Sequence, residues 1–247
     1  VVEASYNSRA LGRVDLIFDT KTRRIDNKKT YVTTTFKENV ESDQATEKLI
    51  ESILEELSSN LNQTIGKTNS GLIVNYGDEN NIGNLITDIM RLTANTDIAL
   101  LDVERVRSSI QAGDIRLGAI YDLFPFDDDI VTFELNGVEL KEILETGVSG
   151  SCGGVIQVSG LFVIWNQNQD PGSRIADVTL DGKTPIEGEK TYKVALNSDM
   201  ASKRSCYPSF LLTKNKKNTY RIIREELIKY IKEQTAKGES IDPKIEG

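Results

Sequence analysis

Hydrophobic residues recur along this chain at two spacings, and the two sort it into helices and strands. Leu49, Ile50, Ile53, Leu54, Leu57 and Leu61 share one face at helical spacing, with Asp43 placed to cap it, so a packing helix is expected over residues 43–61. Ile82, Leu85, Ile86, Ile89 and Met90 predict a second helix over 81–93. Ile222, Ile223, Leu227, Ile228 and Ile231 predict a third over 219–235. A shorter helix through Leu140, Ile143 and Leu144 is expected after a turn at Asn136 and Gly137.

Between these, short apolar runs read as strands: 11–18, 31–36, 72–74, 98–101, 130–135, 155–158, 161–165, 175–180 and 192–196. The last two look like an antiparallel set about a turn at Asp181 and Gly182. Residues 66–71 (GKTNSG) and 147–154 read as loops. The first is not a phosphate-binding loop, because the glycine that would precede Lys-Ser/Thr is followed by Leu72 and Ile73. Helices and strands mix without strict βαβ alternation, which predicts an α+β fold.

The stretch 102–131 is the most informative for function. It leaves the end of a buried strand, where mixed folds commonly place ligand loops. It offers Arg105 and Arg107 and two aromatics, Phe124 and Phe126, that look exposed. An arginine fork suits phosphate or carboxylate, and an aromatic face suits a base. The plainer alternative is a pair of solvated arginines beside a hydrophobic plug. Asp127, Asp128 and Asp129 follow at once. Consecutive strand residues alternate faces, so the three carboxylates are expected to form a solvated turn and not a metal cluster.

Composition narrows the chemistry. The 247 residues contain no histidine, which removes the usual ligand of zinc and dimetal hydrolase centres and the usual base of serine or cysteine nucleophiles. A serine nucleophile would need an unusual base such as lysine. The net charge of −8 argues against nucleic acid or an anionic membrane as the main partner. No apolar run approaches the roughly 18 residues of a spanning helix, and no signal peptide is evident. The chain begins on Val1 and Val2, without methionine, as a processed or fragmentary product would. Cys152 and Cys206 could form a disulfide in a secreted protein or stay as two buried thiols in a cytosolic one. Asn62 heads a glycosylation sequon.

A collinear set of short motifs resembles the C-terminal domain of the 5′-nucleotidase/apyrase family. It comprises NIGNLITD at 81–88, TDIA at 96–99, AGDI at 112–115, FPF at 124–126, ELNG at 134–137, QVSGL at 157–161, YKVA at 192–195 and KIEG at 244–247. The resemblance covers residues 66–247. It implies layered sheets and helices preceded by an interdomain linker helix over 43–65, with residues 1–42 as a remnant of the upstream metallophosphatase domain. In the family that upstream domain carries two divalent metals on His, Asp and Asn. The resemblance therefore implies no cofactor in this chain.

In active relatives the C-terminal domain holds the nucleotide, and those positions can be followed one at a time. The family's Asn-Gly-Gly-Gly-Ile-Arg loop stands here as DVERVR at 102–107. Arg107 keeps its arginine, Asp102 replaces its asparagine, and Val103, Glu104 and Arg105 replace three glycines. Those side chains are expected to crowd the site. An upstream phosphate-gripping arginine falls near Tyr76 or Asp78. One base-stacking phenylalanine is kept as Phe126 and the other falls at Asp199. The ribose-binding aspartate falls at Ser205, with Tyr207 as the aromatic that follows.

Arg107, Phe126, Asp102 and Tyr207 are thus the remnant substrate-binding set. No catalytic and no metal residue is expected. The resemblance implies a secreted, non-catalytic, degenerate member with weak or no nucleotide binding, acting on a partner protein, on a host protein if it is an inactive mosquito salivary member. In a secreted member Cys152 and Cys206 would be bonded. The competing expectations are the substrate-holding half of an active nucleotidase and a nucleotide scavenger.

Overall fold

The computed structural model describes residues 4, 9–36, 41–180, 182–202, 206–207 and 215–245. The chain separates into two compact units, Val1–Leu57 and Ser58–Gly247.

The first unit contains an antiparallel hairpin of β1 (Ala10–Asp19) and β2 (Arg24–Thr34). Asp19 closes its turn by accepting from the Lys21 N–H at 2.7 Å and the Thr22 hydroxyl at 2.8 Å. Helix α1 (Gln44–Leu61) begins here, with the Asp43 carboxylate accepting from the Thr46 N–H at 2.8 Å. Its boundaries match the apolar period, but its packing does not. Leu49, Ile50, Ile53, Leu54 and Leu57 are 45–60% exposed. Periodicity reports that an apolar face exists; it does not report what covers it.

The second unit is built on a five-stranded sheet in the order β11-β6-β10-β4-β7. These strands are β4 (Ile98–Leu101), β6 (Asp129–Asn136), β7 (Gln157–Ser159), β10 (Thr191–Asn197) and β11 (Lys217–Ile222). β10 runs parallel to β4 and antiparallel to β6. Alternation divides the core in two. Ile98 and Leu100 of β4 enter one apolar cluster with Val131, Phe133, Val194 and Leu196, whereas Ala99, Leu101, Ile130 and Ala195 enter the other. The second cluster is completed by α2 (Asn81–Ala94), α3 (Leu117–Leu123) and α5 (Ile223–Ala236), and the first by α4 (Gly137–Gly147). Two-stranded sheets β3 (Thr64–Thr68) with β5 (Gly113–Arg116), and β8 (Phe162–Trp165) with β9 (Ile175–Thr179), complete an α+β architecture.

Several elements differ from their periodicity. The expected helix from 219 starts only at Ile223. Before it, Lys217 and Asn218 pair with Thr132 and Val131 of β6, and the Thr219 hydroxyl donates to the Ile130 carbonyl at 2.7 Å. Tyr220 then takes a φ of +57°, which ends any helical path. The first half of the loop predicted at 66–71 belongs to strand β3, with Ile65 and Thr68 buried, and the strand predicted at 72–74 is reduced to a single bridge between Leu72 and Ile110. Asn136 is a helix cap, not a hairpin turn: its side chain accepts from the Glu139 N–H at 2.9 Å, while Glu139 accepts from the Asn136 N–H at 3.0 Å. The 175–180 and 192–196 runs lie in different sheets, because β9 pairs with β8 and β10 lies between β4 and β6. β5 and α3 were not signalled by any apolar period.

The tail returns to the start of this unit. Ile241 is buried and donates its N–H to the Lys67 carbonyl at 2.8 Å. The Asp242 carboxylate accepts from the backbone N–H groups of Asn69 and Ser70 at 2.7 and 2.9 Å and from the Ser240 hydroxyl at 2.6 Å. With Ser240 foremost, those donors hold the Asp242 carboxyl well below the usual carboxylate range.

Candidate functional site

β4 delivers the chain into the loop 102–107. Val103 and Val106 are fully buried and anchor a single 3-10 turn (Val103–Arg105), which Asp102 caps by accepting from the Glu104 N–H at 3.1 Å. The Arg107 N–H donates to the Leu123 carbonyl at 2.8 Å, and the Tyr76 hydroxyl donates to the Val106 carbonyl at 2.7 Å. On the far side Gly154 sits so close to Val103 and the Tyr76 carbonyl that a Cβ there would collide with both. These contacts fix the direction in which Arg105 and Arg107 leave the loop.

Both arginines reach Phe126. The Arg105 guanidinium carbon lies 3.5 Å from the Phe126 ring centroid, and that of Arg107 lies 5.3 Å away. The two differ in burial: the Arg105 side chain is 16% exposed, whereas Arg107 is exposed. Arg105 Nε also bonds Asp128 Oδ2 at 2.7 Å, and its Nη1 lies 3.8 Å from Asp199 Oδ1. The Ser198 hydroxyl donates to the other Asp128 oxygen at 3.2 Å. Arg105 is therefore a pinned group, not a solvated one, and the side chain at a position expected to crowd the site lies on the aromatic face.

The two aromatics play different parts. Phe124 is fully buried, not exposed, and meets Phe126 edge-on with ring centroids 6.2 Å apart. Phe126 is half-buried. Their turn is held by Arg224 of α5, which donates to the carbonyls of Phe124 and Phe126 at 3.3 and 3.1 Å and pairs with Asp127. Arg224 also lies over Tyr121, 4.4 Å from its centroid. The expected solvated turn of three aspartates holds for Asp127, whose side chain is 73% exposed, and is corrected for Asp128, which is buried. Asp127 serves Arg224, Asp128 is buried against Arg105, and Asp129 accepts from the Asn218 amide at 2.7 Å.

Asp102 and Tyr207 come together behind this loop. Asp102 is 7% exposed. Burial pushes its carboxyl up to about 6, aided by the Glu104 and Asp199 charges and opposed by the Glu104 N–H and by Arg105. Tyr207 is 2% exposed, and burial, then the Asp102 charge, raises its phenol above the ordinary range. Cys206 beside it is bonded to Cys152, with Cα atoms 5.8 Å apart. Of the sequence alternatives, the structure takes the disulfide. Ser205 and residues 246–247 lie outside the described residues.

Arg107, Phe126, Asp102 and Tyr207 thus sit around one loop. Arg224 was missed. Its signal was a charge between Ile223 and Leu227 on the inward face of the last helix. The residues present do not fit a dimetal centre: the chain has no histidine, and the three adjacent aspartates each serve a different protein donor.

Comparison with known proteins gives a consistent result. The family model "5′-nucleotidase, C-terminal domain" matches residues 62–211. The trifunctional nucleotide phosphoesterase protein YfkN of Bacillus subtilis is 28% identical over 266 residues, covering 100% of this chain and 18% of that protein. An apyrase of Tabanus yao is 26% identical over 178 residues, covering 62% of this chain and 32% of its own. The crystal structure of a 5′-nucleotidase precursor from Thermus thermophilus superposes with a TM-score of 0.70 at 28% identity, covering 91% of this chain and 47% of that one. This chain therefore spans less than half the length of each of these relatives. The chain belongs to the 5′-nucleotidase family, through that family's C-terminal domain.

Proposed function

We propose that this chain is a non-catalytic member of the family whose nucleotide pocket is closed from within, and that it acts outside the cell by binding a partner protein. The observation that carries the reading is Arg105 on Phe126. A purine needs that aromatic face, and Arg105 is held on it by Asp128 and Asp199. Displacing Arg105 would strip a buried carboxylate of its partner, a cost of about 3–5 kcal/mol in comparable pairs. A stacked base returns only about 1–3 kcal/mol. By that margin the arginine stays and the base does not bind.

The resemblance adds that Asp199 and Ser205 stand where the family has an aromatic and an aspartate, so a nucleotide would lack a second ring and a ribose acceptor. Residues 1–42 would then be a remnant of the upstream metal-binding domain and 43–65 the linker helix. Secretion is supported by the Cys152–Cys206 disulfide, because such bonds persist in oxidising compartments. The divalent metals of active relatives would belong to that upstream domain and not to this chain.

The second reading is that this chain is the substrate-holding half of an active nucleotidase. It is favoured by Arg107, which stays exposed near Phe126 and could grip phosphate. Calorimetry with adenosine, AMP and ADP separates the two. No heat up to millimolar ligand is expected; micromolar binding of AMP would overturn the closed-pocket reading.

A further inference from the structure

A cavity of about 610 Å³ lies in the second unit, along α2, β7, β8, α5 and the returning tail. None of Asp102, Arg105, Arg107, Phe126 or Tyr207 lines it, so it is a different place from the loop site. Its walls combine three kinds of surface. Leu85, Ile89 and Leu161 supply aliphatic floor, and Phe162, Trp165 and Tyr230 supply aromatic faces. Among the described residues, five carboxylates but only two cations line it. Its size falls in the range of small-molecule sites, about 300–1,000 Å³.

The charges are not equally engaged. Asp242 is committed to the tail contacts described above. The Glu79 carboxylate accepts from the Asn84 amide at 2.5 Å. Arg91, one of the two cations, is occupied: its Nε donates to the Ser159 hydroxyl at 2.7 Å and its Nη2 lies 3.8 Å from Asp88. The other cation, Lys244, is tied by its carbonyl to the Asn84 amide at 3.1 Å at the tail end of the cavity. Asp88, beside Arg91, also accepts from the Ser159 hydroxyl at 2.5 Å, so it too is engaged. Tyr230 and Glu239 line the same cavity, and burial, then the Asp88 and Glu239 charges, raise the Tyr230 phenol above the ordinary range. Aromatic rings, an apolar floor and an excess of carboxylates in one cavity favour one ligand class, a cation with an apolar body.

We propose that this cavity binds a small amphipathic organic cation, an ammonium group on an aromatic or alkyl body, with the ammonium drawn to the Glu239 carboxylate and the apolar body against Leu85, Leu161 and Trp165. The site is independent of the nucleotide pocket and of whether that pocket is closed. A phosphate or carboxylate ligand is disfavoured by the carboxylate excess, and a neutral apolar ligand would leave the acidic end unmatched.

Trp165 is the chain's only tryptophan and lines the cavity, so its fluorescence reports occupancy directly. The probe is 2-phenylethylamine, titrated against the neutral 2-phenylethanol and the anionic 3-phenylpropionate. The amine should give a saturable change at a concentration about tenfold lower than the alcohol, a difference of about 1.4 kcal/mol, and the acid should give none. Raising the salt should weaken the amine alone. Glu239→Gln should lose about tenfold in amine affinity while unfolding at an unchanged temperature. Equal binding of amine and alcohol, no saturable change by about 10 mM amine, or full binding by the stably folded Glu239→Gln variant would each overturn the proposal.

Discussion

Arg105 and Phe126 are 21 positions apart in the chain and stack with the guanidinium carbon 3.5 Å from the ring centroid. The contact is half-buried and backed by the buried Asp128, so it combines a cation–π interaction with a largely desolvated ion pair. Arg105→Ala removes one charge and leaves the buried Asp128 with the Ser198 hydroxyl but no counter-charge. A loss of about 3 kcal/mol in urea denaturation is expected. The double variant Arg105→Met/Asp128→Leu should recover much of it, since an apolar pair of similar volume often replaces a buried ion pair without loss. Equal destabilisation by the single and double variants would refute the pairing.

Asp102 makes stability fall as pH rises through the weakly acidic range. Its folded carboxyl titrates near 6, above the unfolded value, so the folded chain holds the extra proton between about pH 4 and 6. Below that window the group costs nothing; above it, burying the charge does. The expected contribution is on the order of 2 kcal/mol lost between pH 4 and pH 7. Asp102→Asn keeps the cap to the Glu104 N–H and should remove that slope. The test is the difference in urea midpoints between the two proteins across pH, and parallel curves would count against the assignment.

The Cys152–Cys206 bond closes a separation of 54 residues. Constraining a loop of that length in the unfolded chain is worth about 4 kcal/mol as an entropic ceiling, with 2–4 typical. Cys152→Ser/Cys206→Ser should lower stability by that order. Thiol titration of the denatured, unreduced protein should find no free thiol, and two thiols would refute the bond.

Arg224 positions the turn that carries Phe126. Arg224→Lys keeps one charge but loses the planar fork that serves Asp127 and both phenylalanine carbonyls. A loss of about 2 kcal/mol is expected. Tyrosine absorbance should also shift, because Tyr121 loses the guanidinium over its ring. A stable variant with an unaltered spectrum would assign Arg224 no such role.

Much of the fold was readable where an apolar period coincided with its own caps. The period from Ile82 to Met90 is flanked by Asn80, whose side chain accepts from Gly83, and by a left-handed Asn95, and α2 matches it closely. Residues 219–222 were not readable, since Ile222 and Ile223 continue the helical spacing without a break. The open edge of β6 decides that segment, and β6 lies about 90 residues away in sequence. The site shows the same division. The motif order singled out Asp102, Arg107, Phe126 and Tyr207 as candidates. That Arg105 lies on Phe126 depends on Asp128 and Asp199, whose approach no local pattern encodes. α1 is the converse case, because its apolar face was legible and its covering was not.

Asp242 sits close to the end of the described chain, and its partners belong to the loop that follows the domain's first strand. Cleavage of the chain before Ile241 would strand the Asn69 and Ser70 amides and free the Lys67 carbonyl of β3. The two ends of this domain are thereby fastened by one clasp, and damage at the trailing end would loosen the leading one first.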